Sequence, residues 1–133
     1  MSLAAFGLGL LLPTAQPQAA DPAETKAICD KAAARYKKLD IDKPKDGAVV
    51  LMYKYTFCPA QKSVKAGTAV HFINVDKRTS HSVWFKEAGQ KESDRFFPEE
   101  GFMVKFDQPG TYPYLCGPHW KEEGMKGALT VTP

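Results

Sequence analysis

The stretch Gly110-Thr-Tyr-Pro-Tyr-Leu-Cys116-Gly-Pro-His119-Trp-Lys-Glu-Glu-Gly-Met125-Lys-Gly127 decides how this chain is read. It sets a thiol, an imidazole and a thioether on one short loop between two strand-like runs, and these are the side chains that soft and borderline metals take as ligands. Upstream, Arg78-Thr-Ser-His81-Ser-Val-Trp84 offers a second imidazole at the start of another strand-like run. His81, Cys116 and His119 with a weak axial Met125 form the donor pattern of a mononuclear blue-copper site. Thiolate and thioether suit Cu(I), imidazole suits both oxidation states, and a trigonal geometry that neither state resists needs little rearrangement when an electron moves.

Working outward, Thr111 to Cys116 and Gly127 to Val131 read as strands on either side of the loop, with Asp107-Gln-Pro-Gly110 as the turn before them. Phe102, Val104 and Phe106 alternate ahead of that turn, and a polar stretch from Lys86 to Glu100 precedes them. Further runs lie at His81 to Phe85, at Ala69 to Val75, at Ser63-Val-Lys before Ala66-Gly67, and at Val49, Leu51, Tyr53, Tyr55 and Phe57, read as one alternating set. About seven short strands with little helix after residue 47 predict an all-β fold, an antiparallel β-sandwich. His71 has no soft partner nearby in sequence and reads as a structural strand residue.

Ahead of the strands, Asp21 can cap a helix, Pro22 fits its first position and Glu24 follows three residues on. Ile28, Ala32 and Tyr36 recur at helical spacing, so an amphipathic helix is expected from Pro22 to Leu39. Asp40 to Gly47 is a polar linker. The chain therefore divides into residues 1–20, residues 21–46 as helix and linker, and residues 47–133 as the copper-binding domain. Met1 to Ala20 carry no charge and hold the apolar run Leu3 to Leu12, which reads as the remnant of a secretory signal, although no basic start precedes it. A retained apolar helix is the alternative. The run is too short to span a bilayer, so stable membrane insertion of the mature chain is not expected. A periplasmic or otherwise exported location follows from the signal reading.

The chain has 133 residues, 44% apolar and 25% charged, which suits one globular domain. Its net charge of +3 and the lack of any Lys/Arg block exclude the footprint of a nucleic-acid binder. Of the three cysteines, Cys116 keeps company with other ligand types. Cys29 and Cys58 are left as a pair that could form a disulfide in an oxidising compartment, or else stay as two buried thiols.

The segments Val64-Lys-Ala-Gly67, Phe72-Ile-Asn-Val75, His81-Ser-Val83 and Gly110 to His119 together resemble the small cupredoxins of the plastocyanin, pseudoazurin and amicyanin type. The resemblance covers about Gly47 to Pro133 and leaves the helix as an addition. It implies a Greek-key β-sandwich with one type 1 copper ion at one end, held by His81, Cys116, His119 and Met125. It also implies that the Ser82 backbone N–H lies near the Cys116 sulfur and that Asn74 ties the ligand loops together, although both could be turn residues serving local backbone. The five residues from Trp120 to Gly124 make the ligand loop longer than the resemblance leads one to expect. Gly117, Pro118 and Trp120 would form an apolar rim beside His119, either a docking patch for a redox partner or a shield for the site.

The expected function is exported, soluble one-electron transfer between larger redox proteins by a monomer, with no enzymatic activity. An alternative is a copper carrier or sensor without an electron-transfer role. A third reading makes Cys116 a nucleophile with His119 as its base, but leaves His81 and Met125 without a purpose. Three histidines are too few for a multicopper oxidase.

Overall fold

The computed structural model describes residues 20–133, so the signal reading of residues 1–20 lies almost wholly outside the described residues. Helix α1 (Pro22–Lys38) is followed by seven strands: β1 (Ala48–Tyr53), β2 (Thr56–Cys58), β3 (Gln61–Lys65), β4 (Val70–Asn74), β5 (Gly101–Val104), β6 (Gly110–Leu115) and β7 (Lys126–Thr132). They form two sheets, ordered β2-β1-β4-β5 and β3-β7-β6. The sandwich expected from the sequence is present, with one correction. β1 pairs with β4, and β3 with β7, in parallel, so the sheets are mixed and not purely antiparallel. Side-chain alternation reports which face a residue takes, not which way its neighbour runs.

The run expected as one strand from Val49 to Phe57 is a hairpin. Lys54 and Tyr55 both take left-handed backbone angles, φ 45° and 57°, and fold β2 back onto β1 with Tyr53 opposite Thr56. Two left-handed residues are what a two-residue hairpin turn of the right twist requires, and neither residue here is the usual Asn or Gly. The turn is held from outside: the Lys54 N–H donates to Asp76 Oδ1 at 3.2 Å.

β1 is apolar on both faces because both are covered. Val50 and Met52 point into the sandwich, where they meet Phe57, Phe72, Phe85, Tyr114, Leu129 and the two residues Cys116 and Met125. Val49, Leu51 and Tyr53 point the other way and, with Ile73, receive α1 through Ile28, Ala32 and Tyr36. The helix starts as its sequence predicts, with the Asp21 carboxylate accepting from the Ala23 N–H at 2.9 Å and Pro22 in the first turn. It ends at Lys38, where the Leu39 N–H closes on Arg35 O. A disulfide joins Cys29 to Cys58 on β2, the first of the two alternatives open to that pair. Among the described residues no helix is long and apolar enough to cross a membrane.

The candidate metal centre

Two segments must meet for His81 to join the 116–125 loop, and main-chain bonds bring them together. His81 exchanges both backbone bonds with Phe96, and Trp84 exchanges both with Leu115, the last residue of β6. The run from His81 to Phe85, expected as a strand, is therefore two isolated bridges. The reason lies between them: the Ser82 N–H points at the Cys116 sulfur, 3.5 Å away, and the Val83 N–H donates to Ser93 Oγ at 2.9 Å. Donors spent on side chains cannot build a ladder.

The ligand loop is wound into turns. His119 and Trp120 N–H both donate to Cys116 O, Glu123 N–H donates to His119 O, and Met125 N–H returns to His119 O. The Cys116 N–H then donates to Met125 O at 3.1 Å and closes the loop. The extra length from Trp120 to Gly124 is taken up as this helical turn, and Gly124 at φ 67° supplies the left-handed residue that ends it. Met125 is buried at 1% exposure beside Cys116.

One ligand atom each of His81, Cys116 and His119 lies within 4.8 Å of the others. The Cys116 sulfur is 3.7 Å from His81 Nδ1 and 3.4 Å from His119 Nδ1. First-row metal bonds of about 2.3 Å to sulfur and about 2.0 Å to imidazole nitrogen, opened to between 109° and 120°, put those atoms about 3.5 to 3.7 Å apart. The donor set therefore fits one ion of this class. His81 and Cys116 are buried, whereas His119 is half-buried, with Tyr55 edge-on to its ring at 4.8 Å between centroids. Burial pushes the Cys116 thiol up, against hydrogen bonds from Ser82 and His119 that pull it down. Burial, and then His81, push His119 down, which keeps its lone pair free. Metal binding here must release the thiol proton.

Around the donors, Asn74 bonds Thr79 O at 2.8 Å and Phe96 O at 3.2 Å, so it fastens both sides of the His81 segment. The link to the other loop runs through Ser82 Oγ, which accepts from Gly117 N–H at 2.9 Å and donates to Glu92 at 2.7 Å. Gly117, Pro118 and Trp120 sit half-buried beside His119. His71 lies in β4 opposite Val49 and Met103, outside the donor cluster.

Two residues escaped the sequence reading. Glu92 sits in a polar stretch with nothing to mark it. Asp76 is buried at 8% exposure, and its Oδ2 lies 2.6 Å from His81 Nε2 while its Oδ1 holds the hairpin turn. Its place in Val75-Asp76-Lys77-Arg78, five residues ahead of His81, reads as a solvated turn and carries no signal of its own.

Comparison with known proteins agrees with this geometry. A family model described as copper binding proteins, plastocyanin/azurin family, matches residues 48–132, from the first residue of β1 to the last of β7. A chloroplastic plastocyanin of Physcomitrium patens is 41% identical over 86 residues, covering 57% of this chain and 50% of its own length, so the chain spans about half of that relative. Amicyanin-alpha of Methylorubrum extorquens is 35% identical over 92 residues, covering 66% of this chain and 74% of its own. The solved structure of amicyanin from Paracoccus versutus superimposes with a TM-score of 0.60 at 26% identity, over 68% of this chain and 86% of that one. On that match across every strand, the chain belongs to the copper-binding plastocyanin/azurin family.

Proposed function

We propose that this protein is an exported, monomeric, non-enzymatic one-electron carrier using a single type 1 copper ion held by His81, Cys116, His119 and Met125. The observation that carries the reading is the convergence of one thiol and two imidazole nitrogens at metal-bridging distances from two segments far apart in sequence. When bound, copper supplies a one-electron couple. The protein's part is to hold its donors in place through the turn-wound loop and the His81 bridge, so that little moves when the charge changes. The Ser82 N–H tempers the charge on the Cys116 sulfur, and Asn74 keeps the His81 segment in register. The half-buried edge of His119 is the way out for the electron, with Gly117, Pro118 and Trp120 as the surface a larger redox protein meets. Residues 47–133 act as the copper domain, and residues 21–46 brace its outer sheet face.

A metal-free nucleophilic role for Cys116 is disfavoured by its surroundings. The residue has 0% exposure and burial raises its thiol, the reverse of an activated cysteine.

The test is addition of Cu(II) to the purified protein, followed by its visible spectrum and a redox titration. An intense thiolate-to-copper band that bleaches reversibly on reduction is expected, and Cys116→Ser should abolish it. Colourless tight binding would instead indicate a copper carrier or sensor. Met125→Ala should keep the ion and the colour with a shifted potential; loss of binding would give Met125 a stronger role than a weak axial ligand has.

A further inference from the structure

Lysines from two segments of the chain, Lys86 on one and Lys121 and Lys126 on the other, converge on the indole of Trp120. Lys86 Nζ lies 5.7 Å from the Trp120 ring centroid, Lys121 Nζ 5.2 Å and Lys126 Nζ 5.8 Å, and Lys86 also lies 5.1 Å from the Trp84 ring. Lys86 follows the His81 run, Lys121 belongs to the ligand loop and Lys126 opens β7, so the fold assembles the cluster and the sequence does not announce it. All three are exposed, and among the described residues none forms an ion pair. Trp84, Trp120, Lys86 and Lys126 line a groove of about 560 Å³ in which Glu87 is the one acid. Of the loop's own acids, Glu122 and Glu123 are both exposed, and Glu123 with Glu24 lines a second groove that Lys126 borders too.

The charge distribution is therefore uneven. A chain with a net charge of only +3 gathers three exposed ammonium groups without ion pairs around Trp120, the residue that follows the half-buried His119 in sequence. Their mutual repulsion is tolerable in water, and the indole faces offset part of it. An apposed anionic surface would relieve the rest. It would also gain apolar contact with two tryptophans, the residue type enriched at interface cores.

We propose that this lysine and tryptophan face is where an acidic patch of the redox partner docks. The proposal rests on the electron-carrier reading above and adds the sign of the partner's charge. Lysines around the edge raise the encounter rate by long-range attraction, and Trp120 then seats against the partner with His119 beside it.

The test uses the Cu(I)-loaded full chain, which is diamagnetic, and an oligo-glutamate peptide as the probe in two-dimensional NMR. Expected are shifts at the Trp84 and Trp120 indole N–H and at the amides of residues 86, 121 and 126, fading as salt rises. Oligo-lysine should give none. The variant with Lys86→Gln, Lys121→Gln and Lys126→Gln should bind the peptide about tenfold or more weakly, with its visible copper band unchanged in the oxidised form. Equal binding by that variant would overturn the proposal, as would shifts centred on Lys31, Lys37 and Lys38 of α1. Binding to anionic phospholipid vesicles without a response to oligo-glutamate would overturn it in favour of a membrane surface. A protein with no copper band at all would sink the carrier reading itself, an outcome separate from any of these.

Discussion

Asp76→Asn should weaken copper binding by about 10- to 100-fold while leaving all of the proposed ligands in the chain. The wild-type carboxylate serves two donors at once, the Lys54 N–H on Oδ1 and His81 Nε2 on Oδ2. A neutral imidazole with Nε2 protonated leaves Nδ1 bare, and Nδ1 is the atom that faces the Cys116 sulfur. An amide cannot reproduce this. If its oxygen serves Lys54, its NH₂ meets Nε2 and favours the tautomer with the proton on Nδ1, which blocks the ligand atom. If it flips, the amide nitrogen opposes the Lys54 N–H and loosens the turn that carries Tyr55 against His119. In the flipped orientation the part-buried Lys54 N–H also loses its acceptor, which costs about 1 kcal/mol of metal-free stability. Competition with a copper chelator measures the affinity, and ¹⁵N NMR of the metal-free protein reads the His81 tautomer directly. A purely structural Asp76 would lower stability with the tautomer and affinity unchanged, and that result would sink the positioning role.

Why Asp76 was silent in the sequence shows where such reading stops. The loop from Gly110 to Gly127 was legible because its chemistry is carried by side-chain type and short spacing: a thiol, an imidazole and a thioether on one turn-rich segment have few other uses together. His81 was legible because the loop called for one more imidazole and His81-Ser-Val83 carries the family resemblance, and the helix because Asp21, Pro22 and the Ile28, Ala32, Tyr36 stripe are local signals. Asp76 stands in Val75-Asp76-Lys77-Arg78, which looks like a solvated turn. Only the packing of the hairpin over it makes it a buried clamp. The hairpin itself was hidden, because Lys54 and Tyr55 take left-handed angles that no local preference predicts and that Asp76 helps to impose. The lysine cluster was hidden likewise, since Lys86 and Lys126 are forty residues apart in sequence and meet over Trp120 only in the fold. Features written by residue chemistry could be read; features written by tertiary proximity could not.

Replacing both Cys29 and Cys58 by Ala should lower stability by about 3–4 kcal/mol without undocking α1 or changing the copper band. The bridge closes a loop of 29 residues of sequence separation, and the loop-closure relation puts its effect on the unfolded chain at about 3.6 kcal/mol. The helix has other attachments. Ile28, Ala32, Tyr36 and Leu39 pack on Val49, Leu51, Tyr53, Ile73 and Val75, and Arg35 reaches across with its Nε 2.6 Å from Val75 O and its guanidinium 5.5 Å from the Tyr53 ring. These contacts form in the folded state whether or not the sulfurs are joined, so the bridge and the packing act on different ends of the equilibrium. Denaturant unfolding of the metal-free variant measures the loss, and its far-ultraviolet circular dichroism in buffer reports the helix. If the helical signal disappeared under native conditions, the packing would be too weak to hold α1 alone, and the disulfide would be its fastener. That outcome should also move the copper band, because Val75 adjoins Asp76, and a loosened helix would free the segment that positions His81.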